Sequence, residues 1–159
     1  AWGEGGYYGR IFLNVAGREP EGKVERADYD SVRDELIDKL EALGDEDGKP
    51  IGTRVYKPDD LYARVENIPP DLIAIFGDLH WRSVGTVGWG AVHVHENDTG
   101  PDDANHAQHG MLVAHNVPGL SGELDDRHLT QIAATILDGL GERVPAELGP
   151  TIASAYGDR

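Results

Sequence analysis

Residues 69–76 read PPDLIAIF, an apolar run from Leu72 to Phe76 with two prolines before it and Gly77 after it. No polar residue alternates with the apolar ones, so a strand of this composition is buried on both faces and needs neighbours in a sheet. That demand limits the fold more than any other stretch, because the faces of such a sheet are usually covered by helices.

The rest of the chain supplies matching pieces. In DYDSVRDELIDKLEAL (28–43), Val32, Leu36, Ile37, Leu40 and Leu43 fall on one helical face, with Asp30 able to cap the start and Gly44 as the stop. LTQIAATILDGLGERVP (129–145) repeats the pattern through Leu129, Ile132, Ala133, Ile136, Leu137 and Leu140, with Gly139, Gly141 and Pro145 at its end. IFLNV (11–15), IGTRVY (51–56), AVHVHE (91–96) and GMLVAH (110–115) read as further strands, and Pro58 suits the first turn of a short helix. Strands alternating with helices predict an α/β protein, one domain over 1–159, with three α/β/α layers around a mixed sheet. Residues 85–91, GTVGWGA, read as a flexible glycine-rich loop within it.

Hydrophobic residues at 39% and charged residues at 27% are consistent with a chain that folds. With no cysteine, any metal must be held by His, Asp, Glu or hydroxyl groups. The apolar runs are too short to span a bilayer and no basic-then-apolar leader opens the chain, so a soluble, cytoplasmic protein is expected. The net charge of −15, from 29 acids and 14 bases, repels phosphate backbones and anionic lipid, which argues against nucleic-acid polymers and membranes as partners. So acidic a chain, poor in lysine, also fits adaptation to high salt, where the Debye length is short.

Three stretches bear on chemistry. GEGGYYG (3–9) precedes a strand instead of joining a strand to a helix, so it reads as a turn packed by aromatics and not as a phosphate loop. HVHEND puts His93 and His95 on one face of a strand, somewhat like the histidine pair of cupins, but Glu96 follows immediately where that motif needs a more distant glutamate. In GPDDANHAQHG (100–110), oxygens of Asp102 or Asp103 and nitrogens of His106 or His109 would suit zinc, manganese or a similar divalent ion, while the same residue types also make ordinary polar loops.

Five segments in order, AWGEGGYYGRIFLNVAGREPEG, VYKPDDLY, PPDLIAIFGDLHWRSVG, ENDTGPDDANHAQHGMLVA and LTQIAATILDGLGERVPAELG, together resemble the C-terminal part of the alkaline phosphatase superfamily. The similar branch is that of type I phosphodiesterase/nucleotide pyrophosphatase proteins. The resemblance implies a two-metal centre, commonly zinc or manganese, at the C-terminal edge of a mixed sheet, where a metal-activated Thr or Ser attacks the phosphorus of a phosphate-ester or nucleotide substrate. It also implies that His106, in HAQHGML, is the last metal ligand, with His109 as the fallback if the register slips. Asp102, Asp103, Asn105 and His109 become candidates for orienting that imidazole or lining the substrate side.

The chain departs from that family in having no Asp-His-Gly motif and no matching nucleophile. One or two ligands do not hold a two-metal centre, so this chain alone is not expected to hydrolyse phosphate esters at a useful rate. It begins at Ala1, its one methionine is Met111, and the expectation is a C-terminal portion that works with upstream polypeptide of the same enzyme. Self-association through an exposed sheet edge is a further expectation. The alternatives are a non-catalytic α/β binding or structural domain, and a mononuclear metal module using His93, His95, His106 and His109.

Overall fold

The computed structural model describes residues 1–85, 88–96, 104–117 and 120–153. The chain divides into two compact units, Ala1–Gly110 and Met111–Arg159.

The first unit is built on a four-stranded antiparallel sheet in the order β1-β2-β4-β3, formed by β1 (Trp2–Glu4), β2 (Gly9–Phe12), β3 (Arg54–Tyr56) and β4 (Leu72–Ile75). The predicted β4 is present, and it lies inside the sheet between β2 and β3. Its register pairs Ile11 with Leu72 and Val55 with Ala74, so these four side chains share one face. Leu72 and Ala74 are fully buried, and Leu36, Ile37 and Leu40 pack against them from α1 (Tyr29–Glu41). Gly9 completes this face, because the Phe76 ring comes within 3.0 Å of where a Cβ would stand. The opposite face carries Trp2 stacked on Phe12, centroids 5.4 Å apart, with Arg10, Ile73, Ile75 and Tyr56 in register beside them.

Helix α1 follows the predicted stripe, but its start differs. Asp28 stands at the N-cap without a side-chain cap bond, and Asp30 instead pairs with Arg33 one turn on. The chain then leaves α1 through Ala42 and turns at residues 45–49, where Asp45 Oδ1 accepts from the Asp47 and Lys49 amides at 3.0 and 2.9 Å. Pro58 opens the short α2 (Pro58–Leu61) as predicted.

Two predicted strands are absent. Residues 91–96 and 110–115 form no strand, and Val92, Met111 and Val113 are largely exposed. Alternation or a short apolar run marks a strand only where a neighbouring strand offers backbone partners. The 91–96 segment is tied down by histidine side chains instead. The sheet expected to be mixed is antiparallel in each of its pairings.

In the second unit, α3 (Leu129–Gly139) starts at a capping box. His128 Nδ1 accepts from the Thr130 amide, and Gln131 Oε1 accepts from the His128 amide at 2.9 Å. It ends as the glycines predicted. Gly141, at φ 73°, lets the Glu142 amide reach the Leu137 carbonyl and its own amide reach that of Asp138, each at 2.9 Å. The stripe is only partly used. Ile132 and Leu137 are half-buried, Leu129, Ile136 and Leu140 are exposed, and the fully buried position is Ala134, next to Thr135, whose Oγ1 accepts from the Ile152 amide at 2.9 Å. Among the described residues, no helix is long and apolar enough to cross a membrane.

Candidate functional site

The order of the sheet brings three loops to one end of it. β1 and β4 run in the same direction, so the β1–β2 turn (residues 5–8) and the segment after β4 emerge at the same edge, beside the start of β3. The two loops are joined by backbone bonds between Gly6 and Ser83, 3.2 Å in one direction and 3.0 Å in the other, and the Gly6 amide also reaches Ser83 Oγ at 3.0 Å. The glycine-rich GEGGYYG stretch is thus a hairpin turn, as its position before a strand suggested.

Just beyond β4 the backbone enters the left-handed region for three consecutive residues, Gly77, Asp78 and Leu79, at φ 54°, 55° and 68°. Glycine adopts this readily, and Asp and Leu do so at a cost that strong local contacts must offset. Asp78 accepts from Arg54, and the Leu79 and His80 amides bond back to Phe76 and Gly77 at 3.0 Å. The turn seats Trp81 directly over Gly77, where a Cβ would lie 2.5 Å from Trp81 Cδ1.

His106 stands at this same edge. Its ring meets Tyr7 of the hairpin turn edge-on, with centroids 4.2 Å apart, and the residue is exposed. On the same Tyr7 ring lies the guanidinium of Arg82, 5.3 Å from the centroid. Asn105 anchors the segment, its Nδ2 donating to the Leu79 carbonyl while its Oδ1 accepts from the His106 amide at 2.8 Å. The candidate Asn105 thus bonds the backbone amide of His106. His109 is exposed and lies farther along the same segment, and Asp102 and Asp103 fall outside the described residues.

His93 and His95 do not join this group. His93 Nε2 bonds the Gly44 carbonyl at 2.9 Å and packs against Trp81, while His95 Nε2 meets Glu46 at 3.0 Å. Each imidazole is occupied in fastening residues 91–96 to the turn after α1. Among the described residues no three His, Asp or Glu side chains are grouped to hold a metal, so His93, His95, His106 and His109 do not form the single cluster considered from the sequence. A two-metal centre would need ligands beyond those the described residues bring to this edge.

Tyr7, Trp81 and Arg82 were not singled out from the sequence. Their signal was present, since GYYGR and FGDLHWRSVG are among the segments that carry the resemblance, but nothing in their spacing shows that the hairpin turn meets the end of β4. Beside Arg82 opens a cleft of about 480 Å³ between residues 76–84 and 89–96, lined by Phe76, Trp81, Arg82, Trp89, His93 and other residues of those segments.

A second polar cluster lies at the start of β4. Asp71, 3% exposed, accepts two parallel bonds from Arg18, one from the Leu13 amide and one from the Tyr29 hydroxyl. Burial alone would raise its carboxyl, but the bonds from Arg18, Leu13 and Tyr29 outweigh burial and hold it below the usual carboxylate range. Burial and the Asp71 bond push the Tyr29 phenol upward. The Asp71 oxygens accept all four of these bonds from the protein, so the carboxylate ties loop to sheet. No family model, curated protein or solved structure matches the chain.

Proposed function

We propose that this chain is the C-terminal part of a metal-dependent phosphohydrolase of the alkaline phosphatase superfamily, similar to the phosphodiesterase/nucleotide pyrophosphatase branch. In this reading it supplies His106 as one late ligand to a zinc or manganese centre and part of the wall that faces the phosphate ester. The observation that carries the proposal is the exposed His106 ring on Tyr7 at the end of β4. A ligand imidazole must be open to the ion yet held in orientation, and contact with Tyr7 and the Asn105 tether meet both needs. The neighbouring Arg82 guanidinium suits an oxyanion.

The three-layer fold belongs to the same proposal. α1 covers one face of the sheet, and the other carries Trp2, Phe12, Ile73 and Ile75 together with the charged Glu4, Arg10 and Arg54; a second layer there is part of the proposal. The remaining ligands and the nucleophile would come from upstream polypeptide, and a cytoplasmic, high-salt setting is part of the reading.

Metal binding tests it. Zinc or manganese titrated into the purified chain is expected to bind weakly, with binding lost in His106→Ala and retained in His93→Ala. Identical metal content in both variants and the parent would end the proposal, as would an upstream reading frame without an Asp-His-Gly motif and a nucleophilic Thr or Ser.

A further inference from the structure

The sheet ends in two unlike edges. At β3 the Val55 amide is taken by Glu41 Oε1 of α1 at 3.0 Å, so a further strand would find a carboxylate in its way. At the other edge β1 is bonded to β2 alone, and no lysine, proline or bulge interrupts it. Its one charge, Glu4, is paired with Arg10 at 2.8 Å.

The same chain carries a strand-like run without a sheet. Met111, Leu112 and Val113 are exposed and uncharged, and none of them makes a backbone hydrogen bond among the described residues. An apolar run with free amides and carbonyls is the donor half of a strand addition, and the β1 edge is the acceptor half. Side-chain alternation fixes how the two fit. Gly3 lies in the row Gly3–Ile11–Leu72 on the face that α1 covers, and a Cβ placed there would meet only the Arg10 carbonyl, at 3.8 Å. With Leu112 across from Gly3, in either strand direction, its side chain extends that row past the gap the glycine leaves. Met111 and Val113 then fall beside Trp2 and Glu4 on the other face.

We infer that residues 111–113 of one copy of this chain add as a fifth strand to the β1 edge of a second copy, with Leu112 opposite Gly3. Charge selects a second copy as the occupant. A net charge of −15 pushes copies apart over most of their surface, whereas this junction joins an uncharged run to an edge whose one carboxylate is already neutralised. Where each copy donates to the other, the two junctions close a dimer. The inference draws nothing from the metal-ligand reading and stands or falls apart from it.

The chain has no cysteine, so single cysteines report the contact. Gly3→Cys and Leu112→Cys chains are mixed and oxidised, and opposite residues on neighbouring strands, about 4.5 to 5.5 Å apart, lie within reach of a disulfide. A disulfide between the two different chains is expected in excess over either chain joined to itself. Leu112→Cys joined mainly to itself would mean that the runs pair with each other, and that result or a statistical mixture of the three species would overturn the proposal. Sedimentation equilibrium of the unaltered chain is run in about 1 M potassium chloride, where repulsion between copies is screened. The mass should exceed that of a monomer and rise with concentration. Leu112→Pro removes a ladder donor and an apolar side chain at a position that makes no backbone bond, so it should leave the circular dichroism unchanged and weaken association by roughly 10- to 100-fold. A monomer at every concentration, or a Leu112→Pro chain that associates as the parent does, would overturn it.

Discussion

Arg18 grips Asp71 in parallel, with Nη1 2.6 Å from Oδ1 and Nη2 2.7 Å from Oδ2. The same Nη2 also donates to the Leu13 carbonyl at 2.6 Å, and the Leu13 amide returns a bond to Asp71 Oδ2 at 2.6 Å. One buried carboxylate thus joins the loop after β2, the entry to β4 and, through Tyr29, the first turn of α1.

Asp71→Ala is expected to lower the unfolding free energy by about 2 to 3 kcal/mol. Removing one partner of a fully buried pair costs roughly 3 to 5 kcal/mol. The lower figure applies because the Arg18 side chain is 39% exposed and regains water when its partner is lost. Urea denaturation of the two proteins gives the difference directly, and a change below about 0.5 kcal/mol, the size of an ordinary surface effect, would contradict the role given to this cluster.

Acid should act on the same bond. The Asp71 carboxyl is held below its ordinary value in the fold, so its contribution is present above the unfolded value of about 3.9 and is lost as pH falls through the lower folded value. Stability measured from pH 6 to pH 2 should therefore fall more steeply in the parent than in Asp71→Asn, which has no proton to take up at this site. Tyr29 gives the opposite limb. Its phenol is raised, so its contribution is complete below about pH 10 and declines as pH rises through the folded value. Parallel acid limbs in the parent and Asp71→Asn would show that the carboxylate is not the group being titrated.

These networks explain which parts of the molecule could be read in the sequence. The β4 run and the α1 stripe were legible because burial acts along a single element, and Leu72, Ala74, Leu36 and Leu40 meet as their periods require. Residues 91–96 and 110–115 misled because strand pairing depends on a neighbour that no local pattern reveals. The same holds for the site. His106 is named for its likeness to a family motif, whereas its contact with Tyr7, and that of Tyr7 with Arg82, follow from a pairing of the hairpin turn with the end of β4 through the Gly6–Ser83 bridge, 77 residues apart in the chain. Asp71 draws no notice beside the apolar run, because its partner Arg18 lies 53 positions earlier.

Gly77→Ala tests the turn that shapes the cleft. The position combines φ 54° with a Cβ only 2.5 Å from Trp81 Cδ1, so alanine meets both a backbone penalty and a clash with a ring that is itself packed. The backbone part alone is about 1 kcal/mol, and displacement of Trp81 adds to it. The expected outcome is a loss of about 1 to 3 kcal/mol together with a shift of tryptophan emission toward that of an exposed ring. Gly48→Ala is the control for the backbone penalty by itself, because Gly48 has a similar φ of 78° and nothing within 4 Å of the added carbon. Equal losses and unchanged emission in both variants would mean that the ring does not rest on Gly77.

Salt acts on two opposed terms, and their sizes decide the sign. Exposed pairs such as Arg10 with Glu4 and Lys39 with Glu35 lose strength when screened, but such solvent-exposed pairs contribute little to begin with. Against them stands the self-repulsion of a net charge of −15, which screening relieves over the whole surface. The Debye length is already about 3 Å at 1 M salt, so simple screening is nearly complete there. A surface adapted to high salt should continue to gain, and the melting temperature is expected to climb from about 0.1 M through 1 M potassium chloride and to keep rising toward about 3 M. A rise that stops near 1 M would mark ordinary charge relief, and a flat or falling curve would mean that the exposed ion pairs, not the excess of carboxylates, dominate the electrostatics of the fold.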